Sequence, residues 1–339
     1  MKKVRVEDAL GMILAHDLTK IEPGKFKGPA YKKGHVIEEA DIKGLKDAGK
    51  YHIYAMELNE NQLHEEDAAL RIAEAVSGNG IYLEGPAEGK MTMIAKESGL
   101  LKVNVEALEK INMVDMITLA TLHSNTLVKK DQHIAGTRVV PLSIDKEYIE
   151  QVEEICKENE TILQIKPLKN FKAGVVVTGT EVYEGRIKDK FGIVLENKIK
   201  SFGSTMIGTE YAKDDEVMIK EKIEALIDMG AEIILTSGGM SVDPDDITPI
   251  AIRDLSDEVI SYGSPVLPGS MFMVAYKGDI PIVGVPACGM YHKTTVLDLV
   301  LPRILAREKI TKKDMAQLGH GGLCLNCEVC TFPVCPFGK

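Results

Sequence analysis

Between residues 236 and 249 the chain reads Thr-Ser-Gly-Gly-Met-Ser-Val-Asp-Pro-Asp-Asp-Ile-Thr-Pro, which sets hydroxyls, bare backbone and carboxylates side by side. Ser237, Gly238 and Gly239 supply hydroxyl and amide donors, and without a Cβ the two glycines let an anion come close to the main chain. Asp243, Asp245 and Asp246 follow, with oxygens suited to a hard cation such as Mg2+, which takes carboxylate, water and substrate phosphate oxygens. The apolar run Glu232-Ile233-Ile234-Leu235-Thr236 ahead of them reads as a strand of a parallel sheet. A phosphate and its metal at the end of a buried strand is the chemistry such a stretch suits. The ordinary alternative is a polar turn before a helix, with Asp246 as N-cap and Pro249 in the first turn.

The elements that would hold this loop begin at Lys172. Strand patterns fall at 173–178, 205–209, 232–236, 271–276 and 280–285, and helical patterns at 192–202, 215–229, 247–255 and 290–307. This alternation predicts an α/β fold: a mostly parallel sheet with helices on both faces, a three-layer domain. Ligands of such sheets bind outside the carboxyl ends of the strands. Three further polar segments end strands of the same region: Thr178-Gly179-Thr180-Glu181, Lys213-Asp214-Asp215 and Val285-Pro286-Ala287-Cys288-Gly289. All are expected on one rim.

In this order and spacing the segments resemble the molybdopterin-binding domain shared by molybdopterin molybdenumtransferases and molybdopterin adenylyltransferases, over residues 170–308. The pattern Ser-Gly-Gly-x-Ser-Val-x-x-x-Asp is matched by Ser237, Gly238, Gly239, Ser241, Val242 and Asp246, and Asp246-Ile247-Thr248-Pro249 looks like the Asp-x-Thr-Pro of the adenylyltransferase branch. Thr178, Gly179 and Glu181 match Thr-Gly-Asp/Thr-Glu, while Asn197 matches an Asp-x-Asn whose first position is here Leu195. Pro268-Gly269-Ser270 stands for Pro-Gly-Lys, and Pro286-Ala287-Cys288-Gly289 for Pro-Gly-Asn-Pro. Thr180 stands where the transferase branch often has Asp, which leaves Glu181 and Asp246 as the acid pair for catalysis and Mg2+.

The resemblance implies cofactor-binding positions at Thr178, Gly179, Asn197, Asp214, Ser237, Gly238, Gly239, Ser241, Thr248, Pro268, Gly269 and Pro286. It implies molybdopterin or adenylyl-molybdopterin as ligand, molybdate as its companion, and Mg-dependent molybdenum insertion in cofactor biosynthesis. The departures from the pattern favour an alternative, a non-catalytic carrier that delivers cofactor to a molybdenum hydroxylase. A cofactor-sensing regulator would need a DNA-reading module, and the N-terminal half has no helix-turn-helix or basic recognition helix.

The cysteines are unevenly spread. Cys156 and Cys288 lie alone, and an isolated Cys288 reads either as a small buried apolar residue or as a thiol on the ligand rim. Cys324, Cys327, Cys330 and Cys335 form a Cys-x2-Cys-x2-Cys-x4-Cys-Pro run that does not belong to the resemblance. Thiolates so close can enclose tetrahedral Zn2+ or hold an iron–sulfur cluster. The bacterial ferredoxin run has three residues before its last Cys-Pro where this one has four. A flexible thiol arm for cofactor delivery and an inert tail are the other readings.

With 339 residues, 45% of them apolar, the chain has room for two or three domains. We expect an α+β region at 1–78, a small β-barrel-like region at 79–144, a linking helix within 145–169, the α/β domain at 170–308 and a cysteine-rich tail at 309–339. The first region has helical patterns at 38–48 and 64–76 and a turn at 22–29; the second has a hairpin pattern at 127–136. A net charge of −10 and the absence of Trp argue against a general nucleic-acid or anionic-membrane surface. No apolar stretch approaches the roughly 20 residues of a membrane span, so the cytoplasm is the expected compartment. Homo-oligomerisation stays open.

Overall fold

The computed structural model describes residues 1–22, 26–56 and 60–339. It divides into two compact units, one of residues 1–97, 101–124 and 128–165, the other of 98–100, 125–127 and 166–339.

In the first unit the helix Glu65–Val76 buries Ala69, Ile72, Ala73 and Val76, the stripe that its spacing predicts, and His64 caps it by accepting from the Glu66 amide. The helix Lys146–Glu158 shares that core through Ile149 and Val152. A four-stranded antiparallel sheet of Ile81–Ala87, Lys90–Ala95, His133–Val139 and Ile117–Thr121 packs on the same residues. The hairpin expected at 127–136 does not form: Thr126–Val128 and His133–Val139 belong to different sheets, and Lys129–Gln132 is a turn in the chain between them. Of the turn expected at 22–29, residues 26–29 belong to the strand Phe26–Tyr31, which pairs with Leu18–Glu22, and residues 23–25 lie outside the described residues.

Labels run along the second unit. Its strands are β1 (Lys172–Thr178), β2 (Thr205–Ala212), β3 (Ile233–Ser237), β4 (Glu258–Tyr262), β5 (Met273–Lys277) and β6 (Ile280–Val285). Its helices are α1 (Thr180–Tyr183), α2 (Phe191–Ser201), α3 (Glu216–Asp228), α4 (Thr248–Leu255), α5 (Val296–Leu305) and α6 (Lys312–Gln317). The sheet order is β2-β1-β3-β6-β5-β4; β2, β1, β3 and β6 run parallel, and β5 pairs antiparallel with both β6 and β4.

Side chains alternate across this sheet because the strand repeat is two residues. Val175, Val177, Leu235 and Val283 face the layer of α2 and α5, whereas Val176, Ile234, Ala275 and Ile282 face that of α3 and α4. Both faces are covered, which is the three-layer α/β domain that the alternating pattern predicts. Sequence reading missed the edge strand β4 and the helices α1 and α6. It also began α5 too early, because Thr295 and Asp298 form a capping box that starts the helix at Val296 and leaves 291–294 as a loop. Among the described residues no helix is long and apolar enough to cross a membrane.

The last segment is built into the unit. Ile310, Met315 and Phe337 are buried in its core, Arg303 ties α5 to Glu308 (2.9 Å) and Asp314 (2.7 Å), and Leu323 forms a parallel bridge with Leu267. Phe272 is fully buried in the same core. Phe272→Ala should therefore cost about 3–5 kcal/mol, read as a lower urea midpoint at unchanged slope.

Candidate functional site

The carboxyl ends of β1, β3 and β6 lie side by side, since Val177 pairs with Ser237 and Ser237 with Val285. The chain leaves β1 for α2 on one face of the sheet and leaves β3 for α4 on the other. The crevice between β1 and β3 is therefore the topological switch point, where α/β sheets of this kind bind ligands.

Thr178 joins the two strands. Its hydroxyl lies 3.1 Å from the Ser237 carbonyl and 3.0 Å from the Thr248 hydroxyl, all three residues being buried. Gly238 and Gly239 turn the chain away with φ of 90° and 53°, in the left-handed region that favours glycine. A Cβ on Gly238 would stand 2.1 Å from the Thr178 carbonyl oxygen, and one on Gly239 would stand 2.8 Å from the Thr248 hydroxyl. The glycines are thus required first by the packing of the two loops, and bare backbone for an anion is a by-product. The Ser237 hydroxyl is fully buried with no hydrogen-bond partner among the described residues.

Beyond the joint, the Thr180 amide (2.9 Å) and hydroxyl (3.0 Å) both donate to one Asp214 carboxylate oxygen, which locks the loops after β1 and β2 together. The Glu181 carboxylate folds back beside Gly179. Asp246 does not cap α4 as the turn reading expects; that position is Ile247, and Asp246 instead accepts from the Asp243 amide at 3.0 Å. Ser241 is exposed, and Tyr262 of β4 fastens its loop by donating to the carbonyls of Met240 (3.0 Å) and Ser241 (3.1 Å). Burial first, and the Asp246 charge second, raise the Tyr262 phenol above its ordinary pKa. Nothing in the sequence singles out Tyr262, because β4 itself carries no clear strand signal.

The remaining expected positions are divided between two places. Asn197 is exposed on α2 and borders a groove with Lys198, Gly289 and the loop Met290–Lys293, just after the buried Pro286. Leu195, where the pattern has an acid, is buried in the core. Lys198 fastens the groove's loop through the Asp298 carboxylate and, at 3.0 Å, the Lys293 carbonyl. Pro268 and Gly269 pack under the start of α5, where a Cβ on Gly269 would meet Val296 at 2.5 Å. The neighbouring Leu267 is held by the tail: its amide donates to Gly322 and its carbonyl accepts from Cys324, each at 2.8 Å. Cys288 is half-buried, and burial raises its thiol pKa, so it stays protonated at neutral pH.

Among the described residues no three His, Cys, Asp or Glu side chains are grouped to hold a metal ion. Glu181 and Asp246 thus do not form a ready cage, and Cys324, Cys327, Cys330 and Cys335 do not close on one point. The four cysteines do border a single cavity, with Cys324 and Cys335 partly buried.

The joint at Thr178 leads to two expectations. Thr178→Val deprives the buried Thr248 hydroxyl of a partner and should cost about 1–3 kcal/mol, lowering the melting temperature by roughly 2–4 °C per kcal/mol in a unit this size. Gly238→Ala should be more harmful than Gly203→Ala in the same thermal scan: both glycines have positive φ, but nothing lies within 4 Å of a Cβ at Gly203.

A family model described as "Probable molybdopterin binding domain" matches residues 174–306, and one described as a domain of unknown function matches residues 3–57. Over 77 residues the chain is 36% identical to a CinA-like protein of Mycolicibacterium gilvum and 32% identical to one of Mycobacterium leprae. Each match takes in 23% of this chain and 18% of the relative, so the chain spans under a fifth of those relatives' length. Among solved structures, the molybdopterin biosynthesis enzyme MoaB of Thermus thermophilus superposes on 41% of this chain and 98% of its own, at 23% identity and a TM-score of 0.35. The tungsten cofactor synthesizing protein MoaB of Pyrococcus furiosus does so on 41% and 99%, at 20% identity and the same score. The matched segment 174–306 contains the whole strand-end rim and is similar to that probable molybdopterin-binding domain.

Proposed function

We propose that this domain binds molybdopterin or its adenylylated form at the switch point and supports Mg-dependent insertion of molybdenum from molybdate. The observation that carries the reading is the crevice itself, in which the Ser237-Gly238-Gly239 turn at the end of β3 leads into the amino end of α4. Turn amides and a helix start favour a phosphate there, and the orphaned Ser237 hydroxyl is a donor in want of an acceptor. The fit to Mg2+ is of a particular kind. Mg2+ is commonly held by one or two carboxylates and completed by substrate phosphate and water, so Glu181 and Asp246 suffice only once a phosphate is present. When bound, the ion neutralises charge on a pyrophosphate.

In this reading Glu181 and Asp246 orient the ion, the glycine turn fixes the phosphate, and Asn197 with the loop after Pro286 lines the flank. One observation favours the alternative, a carrier without turnover that hands cofactor to a molybdenum enzyme. Thr180 stands where the transferase branch often has Asp, and it draws the Asp214 carboxylate into a structural lock, so two acids are withdrawn from the rim.

Incubating the full chain with adenylyl-molybdopterin, Mg2+ and molybdate should release AMP. Glu181→Ala and Asp246→Ala should each slow release by about 100-fold or more, the worth of several kcal/mol of charge stabilisation, while retaining far-UV dichroism. Saturable pterin binding by calorimetry without AMP release would support the carrier. Absence of binding would overturn both.

A further inference from the structure

Cys324, Cys327, Cys330 and Cys335 border a cavity of about 350 Å³ whose remaining wall includes Tyr291–Thr294, Phe332 and Phe337. None of the four is in a disulfide. The segment that carries them is anchored at both ends, through Leu323 against Leu267 and through the Gly338 amide on the Gly321 carbonyl at 3.0 Å, with Phe337 buried. That anchoring disfavours a free delivery arm and gives the thiols a fixed frame. We propose that this cavity binds an iron–sulfur cluster through the thiolates of Cys324, Cys327, Cys330 and Cys335.

Chemistry limits the candidates. Four sulfur donors within twelve residues select soft metals, which leaves zinc, copper(I) and iron–sulfur clusters. Size then separates a single ion from a cluster. A structural zinc with bonds of about 2.3 Å draws its four sulfurs to within about 3.8 Å of one another. Here no such grouping exists among the described residues, and all four thiols border a cavity many times the roughly 30 Å³ of one water. A cluster fills the middle with its own iron and sulfide and needs the protein thiolates only at its corners.

The surroundings suit a cluster as well. The Thr294 hydroxyl lies 3.4 Å from the Cys330 sulfur, and the Phe332 backbone also hydrogen-bonds it; contacts of this kind to cluster sulfur set its reduction potential. Lys293 and Glu328, of opposite charge, both stand on the wall. Leu325, Phe332 and Phe337 supply apolar wall.

The location adds a consequence. Tyr291, His292 and Lys293 border this cavity and also the groove that contains Asn197. The cluster would stand one loop away from the proposed pterin flank. The cluster assignment itself rests on the tail alone and is independent of the pterin reading.

The full chain, purified without air and assayed for iron, acid-labile sulfide and zinc, tests this. We expect iron and sulfide in equal amounts, about four of each per chain for a [4Fe–4S] cluster, with a broad visible absorption that dithionite bleaches. Protein isolated without metal should acquire the same composition on anaerobic reconstitution with iron and sulfide. Cys330→Ser and Cys335→Ser should lose most of the iron while Cys156→Ser, which is not among the residues lining the cavity, retains it, with dichroism confirming that each folds. Thr294→Val should keep the cluster and lower its reduction potential, since one donor to sulfur is removed. One zinc per chain without sulfide, no cluster even after reconstitution, or full iron in the folded cavity variants would each overturn the proposal.

Discussion

The buried Thr178 hydroxyl, set between the Ser237 carbonyl and the Thr248 hydroxyl, is the interaction on which the rest of the candidate site depends. It brings the loops after β1 and β3 so close that no Cβ fits at Gly238, and positive φ there makes the chain turn sharply out of the sheet. That turn decides where α4 begins and where the acidic loop from Ser241 to Asp246 starts. An unpartnered hydroxyl at this depth would cost about 1–3 kcal/mol, so the joint resists slippage between the two strands. The glycine pair is therefore a packing requirement before it is a ligand feature, and both roles are met by the same lack of side chain.

Around this joint the loops are tied by polar contacts rather than by apolar packing. Asp214 takes two donors from Thr180, Asp246 accepts from the Asp243 amide, and Tyr262 reaches across from the edge strand to hold two carbonyls. Such a rim is held in shape by these contacts while residues 241–245 stay exposed. It also fixes how the acids are shared out. Asp214 is committed to structure, and the proposed ion would fall to Glu181 and Asp246.

The loop Met290–Thr294 is the second organising feature. It exists because Thr295 and Asp298 cap α5 at Val296, and Asp298 at the same time receives Lys198 from α2. One carboxylate therefore starts a helix and pins the loop before it. Because that loop has the Asn197 groove on one side and the cysteine cavity on the other, a shift in it would be felt in both. The tail reinforces this region by bridging Leu267, next to Pro268 and Gly269 under the start of α5.

Much of the α/β unit was legible in the residues themselves. Alternation of apolar strand runs with helical spacing identified four parallel strands and their crossovers, since both faces of such a sheet must be covered, and the strand ends with Thr178, Asp214, Ser237 and Pro286 could be assigned to one rim. The Thr295-x-x-Asp298 capping box is an equally local signal. Other features were beyond any local pattern. Tyr262 acts through a loop some twenty residues away in sequence, Asp214 is occupied by a threonine 34 residues before it, and Asp246 fails to cap its helix because Ile247 takes that position. The cysteine run announced soft-metal chemistry by spacing, but not the shared cavity that its thiols border or the loop that completes it. Periodicity and residue type are local properties and set elements and donor chemistry. Which donors are spent on one another, and which remain for a ligand, is decided by distances between segments far apart in the chain, which only the folded packing fixes.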